Sequence, residues 1–331
     1  MAAERLIARA LWYAAKGLVE LREERVNAPS ADEVIVRTLY SGVSRGTERL
    51  ILTGGVGESE WERMRAPLQA GAFPYPVKYG YCAAGMVEDG PPHLVGREVF
   101  VLHPHQDLFR APAAMAVPIP AGVPARRATL AANMETALNA LWDSGAGPAD
   151  RIVVVGAGIV GLLVGYLAAR LPGSNVTIVD VAAQRAALAD GLGMAFALPD
   201  GAPKEADVVF HTSATAAGLA TAIGSAGFEG SIVELSWYGD KPVAAAFGGA
   251  FHSQRLRLIS SQVGQVSPGH RPRWSHRRRL EAALSLLDDP ALDELITEEI
   301  DFADAPALLP ALLAPGAQGL APVIRYPAFN S

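Results

Sequence analysis

Cysteine is almost absent. The 331 residues hold one, Cys82, which excludes an internal disulfide and any metal cluster built from several thiolates. A chain that makes no use of disulfides is expected in a reducing compartment, most simply the cytoplasm. Charge is sparse, at 19% of residues, and the net charge is −6, so a broadly cationic surface for nucleic acid or anionic lipid is not expected. What charge there is interrupts the opening segment Met1–Tyr13, which lacks the unbroken apolar core of a secretory leader. Long apolar runs are missing too, with one exception. Residues 152–169 form a stretch of 18 without a charge, and Gly161 with Gly165 makes the G-x-x-x-G pair that a membrane helix also shows. Its first residues, Ile152–Val155, are β-branched and end in a glycine turn, so a strand followed by a separate buried helix is the preferred reading.

Apolar residues make up 50% of the chain, and its length is about twice that of a typical domain, so two domains with sizeable cores are expected. The first third reads as strands and turns. Glu33–Tyr40 and Arg97–Leu102 are strand candidates, and Tyr75–Val87 is broken by proline and glycine as in strands turning around a barrel-like core. An apolar helix-like run follows from Arg127 to Trp142. Between Asp150 and about Ser261 the pattern changes to short β-rich runs alternating with alanine-rich helices. Those runs are Ile152–Val155, Val176–Val179, Asp207–Phe210, Ser231–Leu235 and Leu256–Ser260. Such alternation implies βαβ units and a doubly wound parallel sheet, an α/β fold. The tail returns to mixed character, with helices near Arg277–Leu287 and Ala305–Leu313 and a strand at Pro322–Tyr326.

The glycine loop Gly156-Ala157-Gly158-Ile159-Val160-Gly161 follows Ile152–Val155 directly and opens a helix. The three glycines serve a tight turn, close approach of backbone to a pyrophosphate, and close helix–strand packing, while the helix N-terminus offers N–H groups to phosphate. Asp180 ends the next strand about twenty residues on, where a carboxylate hydrogen-bonds the adenosine ribose. It repels a 2′-phosphate, so NAD is expected over NADP. Arg185 follows, either stacking on adenine or pairing with a phosphate, or simply exposed. Thr212-Ser213-Ala214 and Ser236-Trp237-Tyr238 lie after two of the β runs, at the strand ends where open α/β sheets bind ligands. Ser213 and Ser236 are therefore expected near the nicotinamide, with Trp237 and Tyr238 forming a substrate wall or ordinary packing.

With these motifs the chain resembles the medium-chain dehydrogenase/reductase superfamily, the zinc alcohol dehydrogenases and their zinc-free relatives. Ser41-Gly42-Val43-Ser44-Arg45-Gly46-Thr47-Glu48 is similar to the loop that carries the family's first zinc cysteine. Gly80-Tyr81-Cys82-Ala83-Ala84-Gly85 is similar to the segment with the zinc histidine, and Leu130–Ala137 to the one with the third ligand. The first loop is also similar to that of bacteriochlorophyllide dehydrogenases. The resemblance implies a GroES-like β-barrel catalytic domain over 1–125, a Rossmann NAD-binding domain over 126–261, and a return to the catalytic domain over 262–331. It also implies a substrate in the cleft between the domains and a homodimer or homotetramer, with Leu256–Ser260 near a sheet edge that pairs across a dimer.

The departures from the family bear on chemistry. Ser44 stands at the cysteine position and Tyr81 at the histidine position, which leaves Glu135 as the one ligand type, and the four-cysteine structural zinc lobe is absent. A zinc-independent member, with no metal, is expected. His103 and His105 (H-P-H) lack a carboxylate or thiolate partner in sequence and are not expected to hold one either. Loss of zinc shifts weight towards enone or quinone reduction without excluding carbonyl chemistry. Candidates for the proton role are Tyr81, whose phenol points to a substrate oxygen or fills the metal's volume, and His103 as a relay or a core histidine. Thr47 and Glu48 resemble the family's hydroxyl relay and its adjacent acid, one residue out of step. Arg45 resembles an arginine that reaches the pyrophosphate. Pro268–Arg279 holds five arginines and Trp274, read either as a contact for an anionic or cyclic substrate or as a solvated loop and helix start. Two functions follow: an NAD(H)-dependent oxidoreductase on an alcohol, ketone or enone, and a non-catalytic NAD-binding redox sensor.

Overall fold

The computed structural model of the protein describes residues 6–327. Residues 1–5 of the segment tested for a leader, and 328–331 of the expected C-terminal part, lie outside the described residues. The chain divides into two compact units. One takes the chain up to Ala132 and from Leu284 onward, and the other is Asn133–Ala283.

The first unit opens with β1 (Leu6–Ala15), β2 (Leu18–Val26), β3 (Glu33–Gly42), α1 (Arg45–Thr53), β4 (Ala70–Gly71) and β5 (Val77–Lys78). It continues with β6 (Ala83–Asp89), β7 (Glu98–Val101), β8 (Leu108–Pro112), β9 (Val117–Pro118) and α2 (Ala125–Ala128). The helix α3 (Ala131–Ser144) leads into the second unit, which alternates β10 (Arg151–Val155), α4 (Ile159–Ala168), β11 (Asn175–Val179), α5 (Ala186–Gly191) and β12 (Ala195–Ala197). Then come β13 (Ala206–His211), α6 (Ala216–Ser225), β14 (Ala226–Glu234), β15 (Arg257–Ser260) and α7 (His276–Ser285). The chain returns to the first unit with β16 (Glu299–Asp301), α8 (Ala305–Leu312) and β17 (Val323–Arg325).

Two sheets build the first unit, β2-β1-β5-β4 and β16-β17-β3-β6-β7-β9, with β8 also paired to β3. Alternate residues of the second sheet point inward: Val34 and Val36 from β3, Ala83 and Val87 from β6, and Val99 and Val101 from β7 close on Phe109. The β3–β6 pairing depends on one glycine, because a Cβ at Gly85 would lie 2.3 Å from the carbonyl oxygen of Arg37.

In the second unit the sheet order is β12-β11-β10-β13-β14-β15, and every pair is parallel. The chain winds outward one way from β10 through β11 and β12, then the other way through β13, β14 and β15, so the topology reverses between β10 and β13. Strands buried on both faces need continuous apolar runs. That explains the 152–169 stretch, which divides into β10 and α4 rather than forming one span. No helix among the described residues is long and apolar enough to cross a membrane.

The unit boundaries differ from those expected at 126 and 262, since 126–132 pack with the first unit and 262–283 with the second. Side-chain anchoring is the reason. The Arg127 guanidinium donates to both carboxylate oxygens of Asp293 at 2.8 and 2.6 Å, holding α2 in the first unit. Arg279, fully buried, donates to Glu135 at 2.9 Å and to Asn139 at 2.6 Å, and so fastens α7 to α3.

Candidate active site

The glycine loop lies between β10 and α4, and each glycine has a physical reason. Gly156 takes a φ of +111°, and a Cβ there would sit 2.8 Å from Thr212 Oγ1 and 2.9 Å from the backbone N of Ser213. A Cβ at Gly161 would lie 1.9 Å from the carbonyl oxygen of Gly156. Gly158 caps α4, and nothing lies within 4 Å of a Cβ placed on it, so this glycine leaves room for a ligand. Ile159 and Val160 open α4, whose first N–H groups have no partner within the helix. Asp180 follows the last residue of β11. Its carboxylate accepts from the N–H of Ala157 at 2.6 Å and from that of Ala182 at 2.8 Å, so it is tied to the loop itself. Two acceptor positions of the carboxylate remain for a ribose diol. Arg185 is half-buried in the turn Ala183–Arg185 that follows. These residues fit the pyrophosphate and adenosine ribose of a dinucleotide. Gly161→Ala is expected to weaken dinucleotide affinity about tenfold or more, since its methyl must displace backbone; a fluorescence titration with unchanged affinity would count against this loop.

In the first unit, the segment 44–48 and Tyr81 come together. Ser44 caps α1, and Tyr81 Oη donates to Thr47 Oγ1 at 3.2 Å. Desolvation pushes the half-buried Tyr81 phenol well above its usual value, against hydrogen bonds to Ser44 and Thr47 that lower it. A phenol so placed stays protonated, which makes it a hydrogen-bond donor and a poor base.

Glu48 is not beside the hydroxyls as a free acid. It is 0% exposed, and its carboxylate accepts from the Ser44 N–H at 2.7 Å, the Tyr13 hydroxyl at 2.5 Å and His105 Nε2 at 3.0 Å. His105 in turn accepts at Nδ1 from the Ser41 hydroxyl at 2.7 Å, and Ser41 pairs with Tyr326 at 2.9 Å. This buried network satisfies each of its members, as a low-dielectric interior requires. The two histidines of the H-P-H segment therefore part company. His103 stacks on Phe109 with ring centroids 3.7 Å apart and donates from Nδ1 to the Pro104 carbonyl at 2.8 Å. Burial pushes its imidazole down to about 3, so the ring is neutral, with its one proton on Nδ1, near neutrality. Arg45 donates to the Ala317 carbonyl, and Arg49 to those of Leu313 and Ala314, placing both against the segment before β17. Burial, then the charge of Glu48, pushes the Cys82 thiol up, which makes it a small core residue.

The positions that the family resemblance sets at zinc ligands are otherwise engaged. Ser44 and Tyr81 bring hydroxyls, and Glu135 is paired with Arg279. Burial raises the Glu135 carboxyl, while the Arg279 charge and hydrogen bond oppose that rise. No three His, Cys, Asp or Glu side chains converge among the described residues, so the residues present do not offer the three-ligand set a catalytic zinc needs. Of the arginine-rich segment, Arg279 is structural, Arg271 donates to the Val266 carbonyl, and Arg278 lies over Trp274 at 4.0 Å. Trp274 also packs on Trp142, at 4.8 Å between ring centroids.

At the carboxyl ends of β13 and β14, Ser213 and Ser236 surround two residues the sequence did not single out. His211 is held between Glu234 Oε2 at 2.7 Å and Ser213 Oγ at 2.8 Å. Ser236 Oγ accepts from the Ala214 N–H at 3.1 Å, and Tyr238 donates to Glu234 at 3.1 Å. Both missed residues are the last of their strands, a position visible in the sequence. Their pairing is not, because it depends on the register His211↔Glu234.

No known protein-family model matches the sequence. The chain is 31% identical over 186 residues to D-guloside 3-dehydrogenase of Escherichia coli K12, covering 51% of this chain. It spans about half, 53%, of the length of that curated relative. Among solved structures it is similar to L-idonate 5-dehydrogenase of Escherichia coli, with a TM-score of 0.81 and 14% identity over 98% of this chain and 100% of that one. It is also similar to a protein of the zinc-binding dehydrogenase type from Sinorhizobium meliloti 1021, bound to NADP, with a TM-score of 0.76 and 17% identity over 97% and 99% of the two chains. The chain has the fold of the medium-chain dehydrogenases.

Proposed function

We propose that the protein is a nicotinamide-dependent, zinc-independent oxidoreductase that interconverts a hydroxyl and a carbonyl on a small alcohol or polyol. The observation that carries this reading is the glycine loop with Asp180 hydrogen-bonded to it, since that geometry has a specific use in holding a dinucleotide. The substrate class follows from D-guloside 3-dehydrogenase and L-idonate 5-dehydrogenase, to which the chain is similar. Zinc independence follows from Ser44 and Tyr81, which bring hydroxyls where a metal would need a thiolate and an imidazole.

The nicotinamide supplies or accepts the hydride. Tyr81 turns its single O–H from Thr47 Oγ1 to the substrate oxygen, and the Thr47 hydroxyl then donates to the phenol oxygen and holds it in place. A phenol kept protonated by burial stabilises negative charge on the oxygen as it develops during reduction. Asp180 favours NAD, because its carboxylate repels a 2′-phosphate. Asp180→Ala is expected to bring NADPH affinity about tenfold closer to that of NADH; a wild-type protein that already prefers NADPH refutes this assignment. Solution as a dimer or tetramer through β15 is the oligomer this reading carries, since β15 is the edge strand of its sheet.

The decisive test pairs a fluorescence titration with NADH and NADPH, metal analysis of the purified protein, and turnover on a panel of polyols, cyclic alcohols and enones. Binding and turnover without stoichiometric metal support the reading. Tight binding with no turnover on any member of the panel would return the protein to a redox-sensing role, and stoichiometric zinc would refute the metal-free site.

A further inference from the structure

Oxidation of a hydroxyl sends two electrons away with the hydride and leaves one proton, which a base must collect. The sequence candidates in the first unit do not supply that base. Tyr81 stays protonated, Glu48 is held by three donors, and the buried His103 spends its Nδ1–H on Pro104. The second unit holds a different arrangement.

His211 is fully buried at the end of β13, beside Glu234 at the end of β14. A carboxylate only accepts, so Nδ1 carries the proton donated to Glu234 at 2.7 Å, and Nε2 accepts from the Ser213 hydroxyl at 2.8 Å. Glu234 also accepts from Tyr238 at 3.1 Å and from the Ser236 N–H at 2.8 Å. Desolvation raises its carboxyl, but the His211 hydrogen bond and charge and the Ser236 donors outweigh that and hold it below the usual range. An ionised carboxylate beside the ring stabilises an imidazolium. The charged and titratable groups that face the ring are Glu234 from β14 and Tyr238 after it; β10 presents Val155, and α6 presents Gly218.

Ser213 is the half-buried end of this chain. Ala214 takes a left-handed φ of +53°, which turns the backbone sharply from strand into α6. Thr215 accepts from the Gly218 N–H at 3.0 Å and meets Ser213 Oγ at 3.1 Å. Gly218 makes room, since a Cβ there would lie 2.0 Å from Ser213 Oγ and 2.8 Å from His211 Nε2. On its other side Ser213 abuts the glycine loop, where its backbone N would lie 2.9 Å from a Cβ on Gly156. Hydroxyl, imidazole and carboxylate in this order are the arrangement by which a hydroxyl proton is passed to a base.

We propose that Ser213, His211 and Glu234 form a proton-accepting chain of the cofactor-binding unit, open at Ser213 beside the glycine loop, which takes up the proton released when an alcohol is oxidised. The proposal rests on the dehydrogenase reading. Its step balances: the electron pair of the C–H bond leaves as hydride to the nicotinamide, and the C–O bond becomes a double bond. The hydroxyl proton passes to Ser213 Oγ as Ser213 gives its own proton to His211 Nε2, and the imidazolium later releases it to solvent. His211 and Glu234 act through Ser213 and are positioning residues for that transfer.

Two measurements test it. In the protein without cofactor, nitrogen NMR reads the tautomer of the His211 ring. A ring protonated at Nδ1, with Nε2 as the acceptor, is expected, and Glu234→Gln should shift the Nδ1 resonance. A neutral ring protonated at Nε2, which has no acceptor for the Ser213 proton, overturns the proposal, whatever the protein turns over. In the complete enzyme oxidising an alcohol, His211→Gln and Ser213→Ala are each expected to lower kcat about 100-fold. In His211→Gln, NADH affinity should change by less than about twofold. Retention of kcat within about threefold, or loss of NADH binding in step with kcat, overturns the proton role while leaving the dehydrogenase reading standing. A wild-type protein that oxidises no alcohol at all removes that reading, and the proton role with it.

Discussion

Tyr81→Phe is expected to lower kcat/KM for carbonyl reduction by about 10² to 10³, the usual cost of removing one hydrogen-bond donor to a developing oxyanion. The phenol oxygen is lost while the ring that packs edge-on against Tyr79 is kept, with centroids 6.0 Å apart. Dinucleotide affinity should not change, because the glycine loop and Asp180 belong to the other unit. The pH profile adds a second check. Since burial holds the Tyr81 phenol above its usual value, its loss of a proton should not limit reduction below about pH 10. A Tyr81→Phe protein that reduces substrate at the wild-type rate would leave Tyr81 as a filler of space and take the donor role away from it.

Glu48→Ala is expected to destabilise the first unit by about 3–5 kcal/mol, since each buried donor left without its acceptor costs about 1–3 kcal/mol. Three donors lose their acceptor together: the Tyr13 hydroxyl, His105 Nε2 and the Ser44 N–H. Each is left buried without water to replace the carboxylate. Thermal unfolding should show a melting temperature lower by roughly 10 °C. Glu48→Gln keeps the shape but turns one acceptor into a donor, so a smaller loss of about 1–3 kcal/mol is expected. The pair of variants separates structure from catalysis. Wild-type stability in Glu48→Gln together with lost turnover would restore Glu48 as the acid that the family resemblance implies.

The two glutamates of the resemblance make the limits of sequence reading concrete. Glu48 and Glu135 stand in segments similar to family functional segments, and in each the carboxylate is engaged in a buried network instead. Glu135 meets Arg279, 144 residues further on, and Glu48 meets His105 at a separation of 57. Nothing local distinguishes a glutamate that will be buried against such a partner from one that faces solvent. The arginine-rich segment carries the same lesson. Its run of charge looks uniform, yet Arg279 is fully buried while Arg277 pairs on its own helix with Glu281 at 2.6 Å. Two strands, β1 and β2, were not read because β2 is rich in charge; they pair along nearly their whole length, and Trp12 of β1 donates to Glu24 of β2 at 2.9 Å.

What the sequence by itself determined is what short-range physics encodes. Continuous β-branched runs marked β10, β11 and β13 because strands buried on both faces have no polar side to show. The glycine loop was legible because its three positions leave space for a close carbonyl, a crossing backbone or a ligand, and glycine alone provides it. Asp180 was legible because it follows directly on a strand whose end is set by those same runs. Only the tertiary structure decided which acids and bases are spent on folding and which remain for chemistry. His211 and Glu234 become a pair because parallel strands β13 and β14 stop in register, and His103 and His105 part because one ring faces Phe109 and the other Glu48. Hydrogen-bond partners of buried polar groups are chosen by sheet register and packing across long sequence separations, and no local pattern carries that information.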